Sequence, residues 1–466
     1  MDIIMKNILL ASSISSLLLL SSSMSYAATD THQTALKNNS TATDASGIPG
    51  PRTCFWSRGP HSADPYLNIA YPDANVYYWA ATFTVPKGAK LELQGQFPNS
   101  RYMSLISYDN AGKPIESAAD YLIKPSQGSI NPFVYGNKRD GAKRDYSIEV
   151  LSQNPTSQYV VGQLGQAQSV DKLHVPQYGT GQQTILYRIY LPDNNKGVTA
   201  GVPLPSPKLT LADGTVINGD SACEKLNTKQ RLQLSAAAVS IPPNQYRQLA
   251  QQADKPDTWP AKNPADWFIQ LDRESLIGMY TGKINDNARR SEGGFYPNLD
   301  NQYIRTIVNR KYGKLFVIRG KAPTVSKTFN NDTVMSQGQL RYWSICSNQS
   351  FANTRVNDCL FDEEIPLDEQ GYYTVIVSRA EDRPRNAKPE CGIGWLPMAE
   401  DGDGVFDKDV SIVQIRHMLA SPNFKTTIAN VEMQKDLVGV MGDYMPKTNY
   451  LMPNQLETFL PCNNFK

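Results

Sequence analysis

A chain of 466 residues, 40% hydrophobic and 19% charged, has room for two or more domains, and that balance excludes both a disordered polyelectrolyte and a membrane-embedded bundle. The formal net charge of +2 gives no reason to expect a polyanionic partner. The densest basic cluster, NKRDGAKRD from Asn137, alternates with aspartates as a solvated loop does, so no nucleic acid is expected.

In chain order, residues 1–27 read as a secretory signal peptide. Lys6 precedes an apolar stretch from Ile8 to Leu20, and small residues end at Ser25-Tyr26-Ala27. That stretch is shorter than the roughly 20 residues needed to span hydrocarbon and is broken by serines. No cysteine follows the cut to carry a lipid, and no later window reaches spanning length. The expectation is a periplasmic or secreted protein with no membrane span once the signal is removed. Residues 28–49, rich in Thr, Asn, Ser and Ala without apolar periodicity, form a flexible leader.

From Cys54 onward the apolar residues alternate in short runs, as in KLELQG, YMSLISY, YSIEVL and TILYRIYLP. Leu91 and Leu93 face one way and Glu92 and Gln94 the other, the period-two pattern of a half-buried strand. The 31 prolines and 31 glycines punctuate these runs as turns between many strands would.

The motifs then recur. Tyr71-Pro72 is answered by Tyr296-Pro297, and Gly95 by Gly320 at the same separation. Asn75 and Tyr77 align with Asn301 and Tyr303 if one residue is inserted. RYMSLIS at Arg101-Tyr102 is matched by RYWSICS at Arg341-Tyr342, after a polar loop lengthened by TVSKTFNNDTVMSQG; Arg188 comes opposite Arg416. Two copies in one order indicate a duplicated domain rather than a solenoid. The expected architecture is mainly β, with two tandem jelly-roll-like β-sandwich domains, residues 50–222 and 293–466. A helical segment, 223–292, joins them and opens a helix at Asn263-Pro264. SPNFKTTIANVEMQKDLVGVMG, with Phe424, Ile428 and Val431 at helical spacing, predicts a helix late in the second domain.

The N-x-Y, Gly-Pro and RYxSxxxYD order, with GIGWLP from Gly392 and VSIVQIRHMLASP after it, resembles bacterial exported tandem jelly-roll proteins catalogued as domains of unknown function. The chain departs from their pattern in its six cysteines and in lacking a Tyr-x-Pro after the last Arg. The resemblance implies two stacked sandwiches of about eight strands each and carries no chemistry with it.

Cys54, Cys223, Cys346, Cys359, Cys391 and Cys462 are an even set in an exported chain and suggest three disulfides, with many connectivities open. Their order favours Cys54–Cys223 bracketing the first domain, Cys346–Cys359 closing a hairpin and Cys391–Cys462 tethering the tail. No C-x-x-C, G-x-S-x-G, H-E-x-x-H, phosphate-loop or dinucleotide motif is present. The four histidines, His32, His61, His174 and His417, share no ligand spacing, and His417 reads as a core-edge residue. In EDGDGVFDKD, Asp401, Asp403, Asp407 and Asp409 could wrap a calcium ion, but Val405 and Ile412 occupy ligand positions of the loop template, so a solvated turn is expected. No metal and no cofactor are anticipated.

Tyr and Trp clusters such as NVYYWA and LRYWS suit either a sandwich core or a face that binds a glycan or small amphipathic ligand. The candidate ligand-binding residues are Arg188, Arg416, Arg101, Arg341, Tyr102 and Tyr342. Arg188 shares a strand face with Leu186 and Tyr190, and Arg416 with Ile412, Gln414 and Met418. A guanidinium on so apolar a face needs either an ion pair within its sandwich or a pocket in which to clamp an acidic ligand. The expected function is an exported ligand- or glycan-binding envelope protein. The alternatives are a glycan-directed hydrolase with strand-borne carboxylates, and a structural envelope protein.

Overall fold

The computed structural model describes residues 47–156, 164, 169–230, 240–291, 295–460 and 462; the signal segment and nearly all of the leader lie outside them. In the first half the strands are β1 (Arg58–His61), β2 (Val76–Phe83), β3 (Lys90–Gln96), β4 (Ser100–Tyr108), β5 (Pro114–Ala119), β6 (Asp145–Leu151), β7 (Lys172–His174), β8 (Gln183–Pro192), β9 (Ser206–Thr210) and β10 (Val216–Asn218). The second half has β11 (Phe268–Ile269), β12 (Asn301–Asn309), β13 (Leu315–Lys321), β14 (Leu340–Asn348), β15 (Val356–Phe361), β16 (Tyr372–Ser378), β17 (Gly394–Pro397), β18 (Val410–Ala420) and β19 (Lys447–Leu451).

These strands make four sheets. Five strands, β1-β2-β8-β4-β5, face five, β10-β9-β3-β6-β7; then β11-β12-β18-β14-β15 faces the four-stranded β17-β16-β13-β19. The protein is thus mainly β, with two β-sandwiches in tandem. Each sandwich carries more strands than the implied eight or so, because edge strands are added on both sheets. The orders correspond strand for strand except that β10 has no counterpart in the second half, and even the parallel pair recurs, β6 with β7 and β16 with β17. The repeated glycines have a local cause. Gly95 lies opposite Tyr146 and Gly320 opposite Tyr373. A Cβ at either glycine would stand 2.6 Å from the facing tyrosine, so each ring lies flat over a residue that has no side chain.

The strands differ in how they are buried. In β3, Leu91 and Leu93 are buried between more exposed neighbours, as period-two alternation requires. Every residue of β4, β8, β14 and β18 is buried, on both faces. An antiparallel sheet commonly keeps one face wet; here each of these sheets packs its inner face into its own sandwich and its outer face against the other domain. A cluster joining Val76, Tyr102, Tyr190 and Leu191 to Tyr342, Phe361, Met418 and Leu419 fills the seam.

Several expected helices are replaced or moved. The segment after β18 forms 3₁₀ turns at Ile428–Asn430 and Gln434–Asp436 and a helix of only five residues, Leu437–Met441, before β19. Phe424, Ile428 and Val431 are buried in the second core all the same. Pro422 and the β-branched Thr426-Thr427-Ile428 disfavour one continuous helix. In the connecting segment the helices are Pro243–Ala250 and Arg273–Thr281. The latter begins after Asp272, whose carboxylate accepts from Ser275 N at 2.8 Å, a cap that Asn263-Pro264 does not provide. The segment also lends β11 to the second sandwich, pairing with β12. No helix among the described residues is long and apolar enough to cross a membrane.

Disulfides join Cys54 to Cys223, Cys346 to Cys359 and Cys391 to Cys462. The first closes a loop of 169 residues and the second one of 13. By the chain-entropy relation these correspond to about 5 and about 3 kcal/mol. Urea melts of paired Cys→Ser variants should therefore show the larger loss for Cys54/Cys223.

Candidate functional site

The repeated Arg-Tyr dipeptides meet at the seam as a reciprocal clasp. Arg101 Nη1 donates to both carboxylate oxygens of Asp362 at 3.0 and 2.9 Å, and Nη2 reaches Glu363. Arg341 Nη1 donates to both oxygens of Asp120 at 3.3 Å. Each arginine also donates to the other's backbone carbonyl, at 3.2 and 3.4 Å. The tyrosines cross as well, Tyr102 to Asp300 and Tyr342 to Asp73 at 2.9 Å. Each aspartate is pinned in its own domain by the amide after the dipeptide, Met103 N to Asp120 and Trp343 N to Asp362. Burial pushes Asp120 up to about 7 and Asp362 up to about 6, against the pull of Arg341 and Arg101.

This corrects the expectation for four candidates. Arg101, Arg341, Tyr102 and Tyr342 are at most 1% exposed and are engaged with one another's domains, so they offer nothing to a ligand.

Arg188 and Arg416 stand at matching register positions. Arg188 lies opposite Tyr78 and Ser104, and Arg416 opposite Tyr303 and Ser344. Tyr78, not Tyr77, is therefore the counterpart of Tyr303, and no inserted residue is needed. The loops before β2 and β12 agree: Asn75 N donates to Asp73 Oδ1 at 2.9 Å, and Asp300 N to Asn298 Oδ1 at 3.0 Å. Asp73 thus matches Asn298, and Asn75 matches Asp300. Leu191 and Leu419 repeat a left-handed backbone, at φ 47° and 44°, as do Tyr71 and Tyr296, at 53° and 47°. Bulky residues rarely adopt it.

The two arginines have different surroundings. Arg416 Nη1 meets Asp73 Oδ2, which also accepts from Ser344 Oγ at 2.7 Å. Burial is the largest influence and opposes the Arg416 charge, but Asp73 together with Tyr303, Tyr190 and Tyr342 outweighs it and holds the guanidinium above its usual range. The pair joins the two sandwiches rather than lying within one. Arg188 Nη2 donates to Tyr296 O at 2.6 Å, and the rings of Tyr78 and Tyr108 lie 5.6 and 5.5 Å from the guanidinium carbon. The Tyr108 hydroxyl also supports the guanidinium, but Nη1 has no hydrogen-bond partner among the described residues although the residue is 3% exposed.

Both arginines line one cavity of about 90 Å³, walled by His61, Tyr71, Tyr78, Tyr190, Phe295, Tyr296, Asn298 and Tyr303. A second space of about 60 Å³ shares Tyr71, Phe295 and Tyr303 and ends at Arg305. Half-buried Ile69, Ala70 and Phe295 edge the cavity. Burial, then Arg188 and Arg58, push His61 down to about 4, which leaves it neutral at neutral pH. The walls come from both domains, so neither sandwich alone makes the site. The arginines were visible as candidates in the sequence; Tyr78, Asn298 and Phe295 were not, though YPDAN against YPNLD, aligned without a gap, carried the Asp-to-Asn exchange.

Other candidates have local explanations. His417 is buried and pushed down to about 3, facing Thr427 Oγ1 at 3.3 Å. In EDGDGVFDKD, Asp403 Oδ1 accepts from the amides of Val405, Phe406 and Asp407, Gln349 donates to Asp401, Arg310 to Asp409, and Asp407 accepts from Asp409 N. Asp403 and Asp407 thus bind amides of the turn itself, while Asp401 and Asp409 tie it to Gln349 and Arg310. Asp73 lies with Cys346 and Cys359 at metal-ligand spacing, but the two sulfurs are bonded to each other.

No protein-family model and no curated protein matches the chain. Among solved structures it is similar to an uncharacterised protein from Burkholderia cenocepacia, at 11% identity and a TM-score of 0.42, covering 84% of this chain and 79% of that one. It is also similar to the VPA0106 protein from Vibrio parahaemolyticus, at 13% identity and a TM-score of 0.37, covering 82% and 90%.

Two predictions follow from the charges. Arg341→Met abandons a buried carboxylate and should cost about 3–5 kcal/mol. Asp120 already ionises later in the folded than in the unfolded chain, so its stabilising contribution is complete below about pH 4 and disappears as pH rises through about 7. Melts from pH 5 to 8 should show the variant's deficit widening. Arg416→Met should cost a similar about 3–5 kcal/mol by stranding Asp73, whereas Arg188→Met, which strands no carboxylate among the described residues, should melt within a few degrees of the native protein.

Proposed function

We propose that this is an exported protein that binds a small amphipathic ligand, a glycan or other envelope component, in the pocket between its two sandwiches. The observation that carries this reading is a cavity walled by aromatic rings from both domains and lined by Arg188, a buried guanidinium with no carboxylate partner among the described residues. Ligand sites favour such domain seams, with apolar walls and a few converging polar groups. Rings of Tyr78, Tyr190 and Tyr303 offer flat apolar faces with hydroxyls at their rims, the pairing a sugar ring uses. The described lining contains no carboxylate, which favours recognition over hydrolysis by a pair of acids. Export is supported by the signal-like N-terminus and by three disulfides, which persist in oxidising compartments.

Native mass spectrometry with a panel of envelope mono- and oligosaccharides and short lipids tests the proposal. The native protein should retain at least one, and Ile69→Trp, which fills the mouth, should weaken retention about tenfold or more. Retention of nothing, or retention indifferent to the plug, rules the pocket out as the ligand site.

A further inference from the structure

We infer that the pocket selects a ligand carrying a single negative charge, a carboxylate, seated on Arg188. The inference rests on the pocket being the ligand site and adds the chemistry of what it takes.

The duplication supplies its own control. In one copy an arginine, a serine and an aspartate form a closed set: Arg416, Ser344 and Asp73, with Ser344 Oγ donating to the carboxylate at 2.7 Å and Arg416 meeting the same oxygen. The other copy places Arg188, Ser104 and Asn298 at the corresponding positions. A neutral amide stands where the counterion stood. Asn298 is committed to Asp300 N through Oδ1 and to Tyr190 OH through Nδ2 at 3.2 Å. Asp300 itself accepts from Tyr102 and from Ser117 Oγ at 3.4 Å.

Arg188 therefore lines the cavity with one carbonyl, the Tyr108 hydroxyl and two ring faces for company, and with no carboxylate among the described residues. Rings and a carbonyl offset only part of the cost of a desolvated cation, and the balance is relieved by an anion that arrives with the ligand. One uncompensated guanidinium in this cavity matches one negative charge, since Arg416 is already neutralised by Asp73. A planar carboxylate can accept from the Arg188 guanidinium, and the cavity of about 90 Å³ takes it with a short substituent, the rest of a larger ligand reaching out past the half-buried edge at Ile69, Ala70 and Phe295. The second space leads on toward Arg305, whose Nε donates to Gln414 at 2.6 Å while Tyr71 and Tyr303 flank its guanidinium.

Calorimetry with acetate, glucuronate, glucose and inorganic phosphate tests this on the full mature chain. The native protein should bind glucuronate at least about tenfold more tightly than glucose, and acetate should compete with it. Asn298→Asp combined with Asp300→Asn copies the Asp73-x-Asn75 order into the second loop, giving Arg188 a counterion from the chain. It should fold, since an amide oxygen at position 300 can still accept from Tyr102, and lose the preference for glucuronate. Should that variant misfold, Arg188→Met must abolish the same preference without loss of stability. Equal binding of glucuronate and glucose, tighter binding of phosphate than of either carboxylate, or a preference that survives both variants overturns the inference. So does failure of acetate and glucuronate to bind at all. If an envelope ligand is nevertheless retained and Ile69→Trp expels it, only the charge assignment falls and the pocket stands.

Discussion

The structure depends on the crossed ion pairs between Arg101 and Asp362 and between Arg341 and Asp120. Buried pairs of this kind add little net stability over an apolar contact, because desolvation consumes most of the attraction, but removing either partner is severe. Their consequence is specificity of arrangement. Each arginine is satisfied only when the other domain presents its aspartate, so the two sandwiches have one way to meet. That geometry explains why β4, β8, β14 and β18 are buried on both faces and why the seam contains charged and phenolic groups where a single-domain sandwich would meet water.

A duplicated domain that closes on itself in this manner produces pairs of equivalent positions, and equivalence permits divergence. The clasp kept both members. The outer pair of arginines did not: Asp73 neutralises Arg416, while Asn298 leaves Arg188 facing a cavity. One copy has an ion pair where the other has a guanidinium lining a cavity, and the clasp beside it joins the two domains that wall that cavity. The left-handed backbones at Tyr71 and Tyr296, strained for tyrosines, border the same cavity and hold both loops against it.

Period-two runs at Leu91-Leu93 and in β8 sufficed to predict strands, and the recurrence of Tyr-Pro, Gly and Arg-Tyr sufficed to predict a duplication, because alternation and tight turns act locally. The helix expected over Phe424 to Val431 did not form, since apolar spacing alone cannot separate a helix from successive turns that each bury one residue in a nearby core. Alignment of Tyr77 with Tyr303 went astray for a related reason: adjacent tyrosines at Tyr77 and Tyr78 look alike in sequence, and only the ladder opposite Arg188 distinguishes them.

By itself the sequence determined the strands, the two copies, the three disulfides its six cysteines form and the residues carrying charge on apolar strands. Tertiary structure decided what those charges do. Arg101 and Arg341 are separated by 240 residues, and no local pattern states that each will find its aspartate in the other domain. Nor could local pattern tell Arg188 from Arg416, which have matching strand positions and tyrosine neighbours. The physical reason is that a buried guanidinium takes its role from the group placed opposite it across the seam, and that group is set by the docking of two domains rather than by the strand that bears the arginine.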